Sequence, residues 1–311
     1  MYPTVIESDL NARRRKRRKR KRLSGTVRRR PSKKVDEAQK VVHSPIVPTR
    51  NIKLLNSVTL PQLSDFDLTP LTPVPFADIH SFLGHNPSIE ILHLYGVEVP
   101  EGVWPPPSLT IPILPHITSI TAHPFYVVFI LKGLLLDKKA SLNLTNIAIA
   151  ISSEPSYVTT APFNYALFDD ALECVAGFLT KIDLTLRFGG TNDSDVYNWF
   201  EEHLAMTNGA SKSSVISRLD NVTSLHAFSC YFDYSWKTIE VLPDWLGLFP
   251  NLTSIDFGAL TARNLRNLKK KEFVRKVAKA CQKVEWLYIH GEILHLEQVD
   301  TNLNAKGGQG C

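Results

Sequence analysis

The chain has 311 residues, 43% of them hydrophobic and 21% charged, which is typical of a protein with a substantial core and argues against a fibrous or wholly disordered chain. Its most apolar run, Phe125–Leu136, contains Lys132 and is shorter than the roughly twenty residues that span a bilayer, so we expect no membrane partner. The four cysteines are widely spaced without a Cys-x-x-Cys pair, and no apolar stretch opens the chain. We therefore expect no secretory signal and reduced thiols inside the cell.

The first segment, residues 1–50, is strongly basic. The net charge of +6 divides into +12 over residues 1–40 and −6 over the rest. With few apolar side chains, this segment is predicted to be a disordered arm. It contains an unbroken block of cations, which is typical of a nuclear-import signal: Arg13, Arg14, Arg15, Lys16, Arg17, Arg18, Lys19, Arg20, Lys21 and Arg22. We expect a nuclear protein that meets an import receptor, but the block also suits contacts with nucleic-acid phosphates, or has no role.

Short alternating apolar stretches recur from residue 51 to residue 296, which we predict to be one domain, followed by a flexible tail over 297–311. With Φ for an apolar residue, the pattern Φ-x-x-Φ-x-Φ begins at Leu63, Ile89, Ile117, Leu144, Leu179, Val222, Leu252 and Val284. The Φ-x-Φ alternation indicates a strand with one buried face, and eight copies at intervals of 26 to 43 residues indicate a repeat. Triplets such as Asn251-Leu-Thr are interpreted as chance glycosylation sequons of a Thr-rich repeat edge.

The intervals between the predicted strands contain helix-like segments. Pro75 and Pro124 suit the first turns of two of them, and Pro243 lies inside another. The predicted helices are Phe76–Leu83, Phe125–Leu136, Tyr165–Phe178, Asp195–Met206, Trp236–Leu248 and Lys269–Lys283. Strand and helix alternating about every thirty residues predict parallel strands joined by crossovers. We predict an α/β fold, an irregular leucine-rich-repeat-like solenoid of about eight strand–helix units, with a doubly wound sheet as the alternative.

Four strings of the sequence resemble the C-terminal repeat region of fungal (mushroom-type) F-box and leucine-rich-repeat-like proteins: NPSIEILHLYGVEVP, LPHITSITAHPFYVVFILKG, LDNVTSLHAFSCYFDYSW and FPNLTSIDFGAL. The resemblance covers about residues 52–296 and implies a module that holds substrates for a cullin-type ubiquitin ligase. No F-box is visible in residues 1–50. The Asn or Cys that closes each leucine-rich repeat is kept only at Cys230.

Motifs of catalysis are absent from the sequence. It has no Gly-x-Ser-x-Gly, no His-Glu-x-x-His and no phosphate-binding glycine loop. The acidic cluster Asp169, Asp170 and Glu173 is expected to be a solvated helix face, and His290 with His295 lacks a third metal ligand. We therefore expect no enzyme, no cofactor and no metal, and a chain that acts as a monomer.

The side chains that flank the last two Φ positions of each repeat are the candidate partner-binding site. The Φ residues, Leu179 among them, are expected to point inward, which leaves the intervening residues on the concave side. Aromatic side chains beside carboxylates and imidazoles favour protein binding, with these candidates: Asp67, His93, Tyr95, Asp183, His226, Phe228, Asp256, Trp286 and Tyr288. We expect an open Tyr288 and a Trp286 partly covered by the segment Gly291–Val299. A nucleic-acid-associated protein that uses the basic arm is the alternative.

Overall fold

A computed structural model describes residues 58–69, 74–95, 97, 99, 105–107, 113–150, 165–189, 193–208, 213–229, 234–257, 268–289 and 292–296. The chain divides into two units, 1–40 and 41–311, and all described residues belong to the second. The basic arm 1–50 and the tail 297–311 lie outside the described residues, so their assignments stay predictions.

The described strands form one sheet, in which β1 to β8 are parallel and β9 runs antiparallel to β8. Their order across the sheet is their order along the chain. The bounds are β1 Asp65–Leu68, β2 Ile91–Leu94, β3 Ser119–Ala122, β4 Asn146–Ala150, β5 Ile182–Phe188, β6 Val222–Ser229, β7 Ser254–Phe257, β8 Trp286–Ile289 and β9 Glu292–His295. The predicted α/β class with eight parallel strands is confirmed, and the antiparallel ninth strand is an addition.

Helices occupy the intervals between strands, as predicted, and their ends differ from the predicted ones by a few residues. They are α1 Phe76–His85, α2 Pro124–Leu134, the short α3 Lys138–Ser141, α4 Ala166–Ala176, α5 Ser194–Asn208, α6 Trp236–Leu246 and α7 Leu268–Ala280. Pro124 opens α2 and Pro75 caps α1, in keeping with proline's fixed φ and missing N–H. The helix predicted to reach Lys283 ends at Ala280, because the amide of Val284 turns back to the carbonyl of Cys281.

The helices pack on one face of the sheet. The inward side chains of β1 to β8 and the buried helix faces belong to a single hydrophobic core. Aromatic pairs show the packing at both ends, where Phe66 of β1 contacts Phe82 of α1 and Phe257 of β7 contacts Phe273 of α7. Ten of the eleven residues of α2 are buried, so the most apolar run of the sequence is a core helix.

Side-chain hydrogen bonds link consecutive repeats just before the strands. The residue that precedes the apolar pattern donates to a backbone carbonyl of the preceding repeat at 2.7 to 3.1 Å, in the pairs Ser88–Leu63, Asn143–Pro115, Asn251–Asp220 and Lys283–Pro250. Two residues after Asn143 and Asn251, the hydroxyls of Thr145 and Thr253 also donate to carbonyls of the preceding repeat. The recurrence of Asn-x-Thr is therefore not a matter of chance: both positions satisfy backbone carbonyls between strands.

The fifth repeat departs from the predicted register. Leu179, expected to point inward, is 88% exposed, so that prediction is wrong. Leu184 pairs with Ile147 of β4 and Leu225 of β6, which aligns the strand two residues later than its sequence pattern suggested. The register also shifts between residues 182 and 183, where β6 uses two residues against one in β5. The alternation of β5 over 182–188 allows both alignments, and pairing with its neighbours selects one.

Candidate functional site

The face of the sheet opposite the helices, here called the outward face, carries the predicted partner-binding residues. Strand pairing places one row across it: Asp67, His93, Thr121, Ala148, Thr185, His226, Asp256 and Tyr288. Asp183 was predicted for this row, but the shifted register of β5 puts Thr185 there instead. Asp183 pairs with Asn146 and Ser224, in the row that ends at Trp286, and it is exposed.

A cation between two aromatic rings lies near the centre of the outward face. The Cζ atom of Arg187 is 5.5 Å from the ring centroid of Tyr95 and 5.4 Å from that of Phe228. Its Nη1 donates to the Tyr95 hydroxyl at 2.9 Å. His93 stacks on Tyr95, with ring centroids 6.3 Å apart and planes at 11°. Arg187, Tyr95 and Phe228 form the Arg187 cluster.

The reach of Arg187 explains how this cluster assembles. Arg187 belongs to β5, and Tyr95 follows β2. Their backbones are therefore three strand spacings apart, roughly 14 Å. Ala150 of β4, which pairs with Arg187, has only a methyl group there, and it is 2% exposed. Two long side chains therefore meet above β3 and β4, while Phe228 of the adjacent β6 closes the other side. Ring contacts within about 6 Å stabilise a guanidinium and hold its plane.

The outward face also carries an exposed histidine–carboxylate pair. Nδ1 of His226 lies 3.2 Å from a carboxylate oxygen of Asp256, and both side chains are more than a third exposed. Farther along the same row, Asp67 accepts a hydrogen bond from the hydroxyl of Thr69 at 3.1 Å. All three predicted carboxylates, Asp67, Asp183 and Asp256, are thus on the outward face, but among the described contacts only Asp256 pairs with another predicted residue.

Charge on the outward face is mostly negative. On β1 to β9, the described carboxylates that point outward are Asp65, Asp67, Asp183 and Asp256, and the only permanent cation is Arg187. Within the described part of the chain, no carboxylate lies within ion-pair distance of Arg187. Its Nε atom has no accessible surface and no hydrogen-bond partner. The cation is held in place by rings rather than by a counter-ion.

A second aromatic group lies at the last parallel strand. Trp286 is 40% exposed, and its ring meets that of His295 edge to face at a centroid distance of 4.6 Å. Tyr288 is half-buried and pairs across β8 and β9 with Ile293, which is 60% exposed. Trp286 is partly covered, as expected, by His295 of β9, whereas Tyr288 is half-buried rather than open.

A Ser–His–Asp arrangement lies on the helical side, with Ser214 and His203 buried and the Asp169 side chain 34% exposed. In His203 of α5, Nδ1 lies 2.7 Å from the Ser214 hydroxyl and Nε2 lies 3.0 Å from Asp169, to which Trp199 also donates. The distances suit proton transfer in a nucleophilic triad. However, Ser214 has no accessible surface, and its hydroxyl oxygen also accepts from the amide of Ile216, so a substrate carbonyl has no route to it. As folded, the arrangement satisfies polar groups that join α4 and α5 to the 3₁₀ turn 216–218.

His123, which directly follows β3, caps α2. Its Nδ1 accepts a hydrogen bond from the amide of Phe125 at 3.2 Å, which requires that nitrogen to be unprotonated. Burial lowers the pKa of His123 to about 4, so the ring is neutral near pH 7. Burial also raises the pKa of the Cys174 thiol to about 11 and that of Cys281 to about 12, which makes both poor nucleophiles.

Within the described residues, no three His, Cys, Asp or Glu side chains are grouped so that they could hold a metal ion. None of the helices in that same part of the chain combines the length and apolar character needed to cross a membrane. The side chains that the described part of the outward face presents are aromatic rings, imidazoles, a guanidinium and carboxylates.

Arg187 is the residue that the sequence reasoning missed. The alternation of β5 places Asp183 and Thr185 on the outward face, and its continuation beyond Leu184 adds Arg187. The sequence pattern therefore contained the information that Arg187 points outward. Asp169, His203 and Ser214 had no recognisable spacing in the sequence. Comparison with known proteins adds no relative: no protein-family model matches the sequence, and no curated protein matches it significantly.

Proposed function

We propose that the described repeats form an irregular leucine-rich-repeat-like solenoid, and that its outward face binds a protein partner without catalysing a reaction. Two observations support the solenoid. The strand order follows the chain without the reversal that marks a doubly wound sheet, and each repeat makes hydrogen bonds to the one before it.

The observation that carries the binding role is the one-sided sheet. Helices cover one face, whereas the other presents the Arg187 cluster and, at β8, Trp286 and Tyr288. Aromatic and arginine side chains contribute a large part of the binding energy at protein interfaces, because they bury much area at a small entropic cost. Such residues, spread over several parallel strands of the outward face, suit an extended partner segment that crosses several repeats.

Site-specific photo-crosslinking tests the binding role. A benzophenone amino acid replaces Thr185 at the centre of the outward face, and as a matched control it replaces the exposed Lys279 of α7. Irradiation of cells is expected to give a discrete adduct from position 185 that is absent from position 279. The adduct should weaken when Phe228 is changed to Ala and persist when Arg275, exposed on α7, is changed to Gln. Identical adduct patterns from both positions would refute the proposal.

The ubiquitin link implied by the sequence resemblance is a finer proposal within the same function. If the outward face selects substrates for a ligase, cullin-type ligase subunits are expected to co-purify with the full chain. They should still do so when Phe228 is changed to Ala, whereas the substrate is lost. Substrate without ligase subunits would support a scaffold role instead.

The charge division of the chain supports a second candidate, a nuclear protein whose basic arm contacts nucleic-acid phosphates. Residues 1–40 carry +12 and the rest −6, which is the pattern of a basic arm on an acidic body. Binding through the arm should weaken steeply with salt, in proportion to the phosphates neutralised, because counterions are released. Measuring DNA binding at 50 and 200 mM salt separates this role from the protein interface, which depends little on salt.

A further inference from the structure

The state of Arg187 points beyond protein binding in general to the chemistry of the bound segment. A guanidinium has five N–H donors. In the described part of the chain only Nη1 has an acceptor, the Tyr95 hydroxyl, while Nε is buried without a partner and Nη2 donates to no residue. The cation is thus pre-positioned, and the described residues supply no counter-ion for it.

We infer that the Arg187 cluster binds the carboxylate of an Asp or Glu side chain in an extended partner segment. The inference rests on the proposed protein-binding function and specifies its ligand. The two rings hold the Cζ atom of the guanidinium 5.5 and 5.4 Å from their centroids, and the hydrogen bond to the Tyr95 hydroxyl fixes the position of Nη1. Because Nε is buried, the donors left for a planar carboxylate are Nη2 and the second N–H of Nη1, which can bind its two oxygens as a bidentate pair.

The surrounding charge selects a carboxylate over a phosphate. Sites for phosphorylated segments use clusters of arginines, because the group carries about −1.5 to −2 charges at pH 7. Here a single guanidinium lies among the outward carboxylates of Asp65, Asp67, Asp183 and Asp256. A dianion is repelled by these groups, whereas a monoanion neutralises the one cation present. The same carboxylates favour basic residues on either side of the acidic one in the bound segment.

The rings that flank Arg187 also determine what neighbours the carboxylate. Tyr95 and Phe228 present apolar surface on both sides of the guanidinium, and His93 extends it through its stack on Tyr95. Residues beside the acidic one therefore meet aromatic faces, which exclude water from the ion pair and strengthen it. The expected recognition sequence has an acidic residue next to an apolar one, with basic residues farther out.

Peptide selection and binding tests this inference. Random dodecamers displayed on phage are selected on the full chain, and the strongest binder is synthesised with its central acidic residue intact or changed to Gln or Asn. Fluorescence anisotropy then gives Kd for the wild type and for Arg187→Gln, Arg187→Lys and Tyr95→Phe. Arg275→Gln is the matched control, since it removes the same charge from the exposed face of α7.

We expect the amide peptide and Arg187→Gln each to weaken binding about tenfold or more, and the two changes together to add little, because both remove one ion pair. Arg187→Lys should lose much of the affinity, since an ammonium keeps the charge but not the fork. Tyr95→Phe, which keeps the ring, should weaken binding about threefold, and Arg275→Gln should change it less than twofold. If Arg187→Gln does not fold, Arg187→Lys completes the double-mutant cycle.

The outcomes separate this inference from the function on which it rests. Suppose that peptides bind the wild type and no longer bind Phe228→Ala. The carboxylate site is then overturned if these peptides show no preference for an acidic residue, or if the change to Gln or Asn weakens binding to Arg187→Gln as much as to the wild type. The protein-binding role stands in both cases. Stronger competition by inorganic phosphate than by acetate also overturns it, in favour of a phosphate. Absence of any binding peptide, together with no discrete crosslink from position 185, overturns both.

Discussion

The cap of α2 by a neutral histidine makes the stability of this protein depend on pH in a predictable way. His123 accepts the amide hydrogen of Phe125 through Nδ1 at the start of a helix that is almost wholly buried. Burial lowers its pKa from 6.5 to about 4, and the positive end of the helix dipole opposes a cation at the same place. We predict that His123→Asn, which keeps a capping acceptor but does not titrate, removes this pH dependence.

The magnitude follows from proton linkage. Because the folded-state pKa lies below the unfolded one, the unfolded chain takes up the proton first as pH falls. The stabilisation is complete above pH 6.5 and is lost progressively down to about pH 4. One pKa unit corresponds to about 1.4 kcal/mol, so the full loss is about 3 kcal/mol. The wild type should lose about 1.4 kcal/mol by pH 5.5 and about 2.5 kcal/mol by pH 4.5, relative to the variant.

Urea unfolding of both proteins at pH 7, 5.5 and 4.5 measures this difference directly. Subtracting the free energy of unfolding of the variant from that of the wild type removes the contribution of the carboxylates, which titrate equally in both proteins. The His123 ring signals followed by NMR should titrate near pH 4 in the folded protein. A wild-type-minus-variant difference that stays constant from pH 7 to 4.5 would refute the argument, as would a folded-state titration near pH 6.5.

Three further predictions concern the register of β5, the Ser214–His203–Asp169 arrangement and the basic arm. Leu184→Ala should lower the free energy of unfolding by about 2–5 kcal/mol, whereas Leu179→Ala should change it by less than about 0.5 kcal/mol; equal effects in urea unfolding would mean that the register assigned to β5 is wrong. A fluorophosphonate probe should not label Ser214 in the native chain, because the hydroxyl is buried, and mass spectrometry measures this. Labelling of Ser214 that disappears in His203→Ala would indicate a hydrolase. Changing Arg13–Arg22 to neutral residues in a fluorescent fusion should shift it from nucleus to cytoplasm, and unchanged nuclear fluorescence would contradict the import role.

Much of the fold could be predicted from local patterns. Alternation with a period of two marks a strand with one buried face, and seven of the eight predicted strands have the inward register that the pattern indicated. Prolines at Pro75 and Pro124 correctly marked helix starts, because proline tolerates the first turn and little beyond it. The long apolar run was correctly assigned to a buried helix, because it is too short for a membrane span and too apolar for a surface.

The candidate site was predicted in part. His93, Tyr95, His226 and Phe228 lie on the outward face as the alternation indicated, since the faces of a strand follow from spacing alone. Which of them act together did not follow from spacing. The contact between Tyr95 and Arg187 joins residues 92 positions apart and depends on the small Ala150 between them.

Tertiary structure decided the features for which the local signal was ambiguous. In β5 the alternating residues from Ile182 to Phe188 satisfy two alignments equally, and only hydrogen bonding to β4 and β6 distinguishes them. Tertiary structure also decided the position of β9, which pairs antiparallel with β8 and leaves Trp286 more exposed than Tyr288. Local sequence thus determined which face of each strand is buried, because burial depends on the alternation of neighbouring side chains. Pairing between strands determined the rows, because it depends on residues that are distant in the chain.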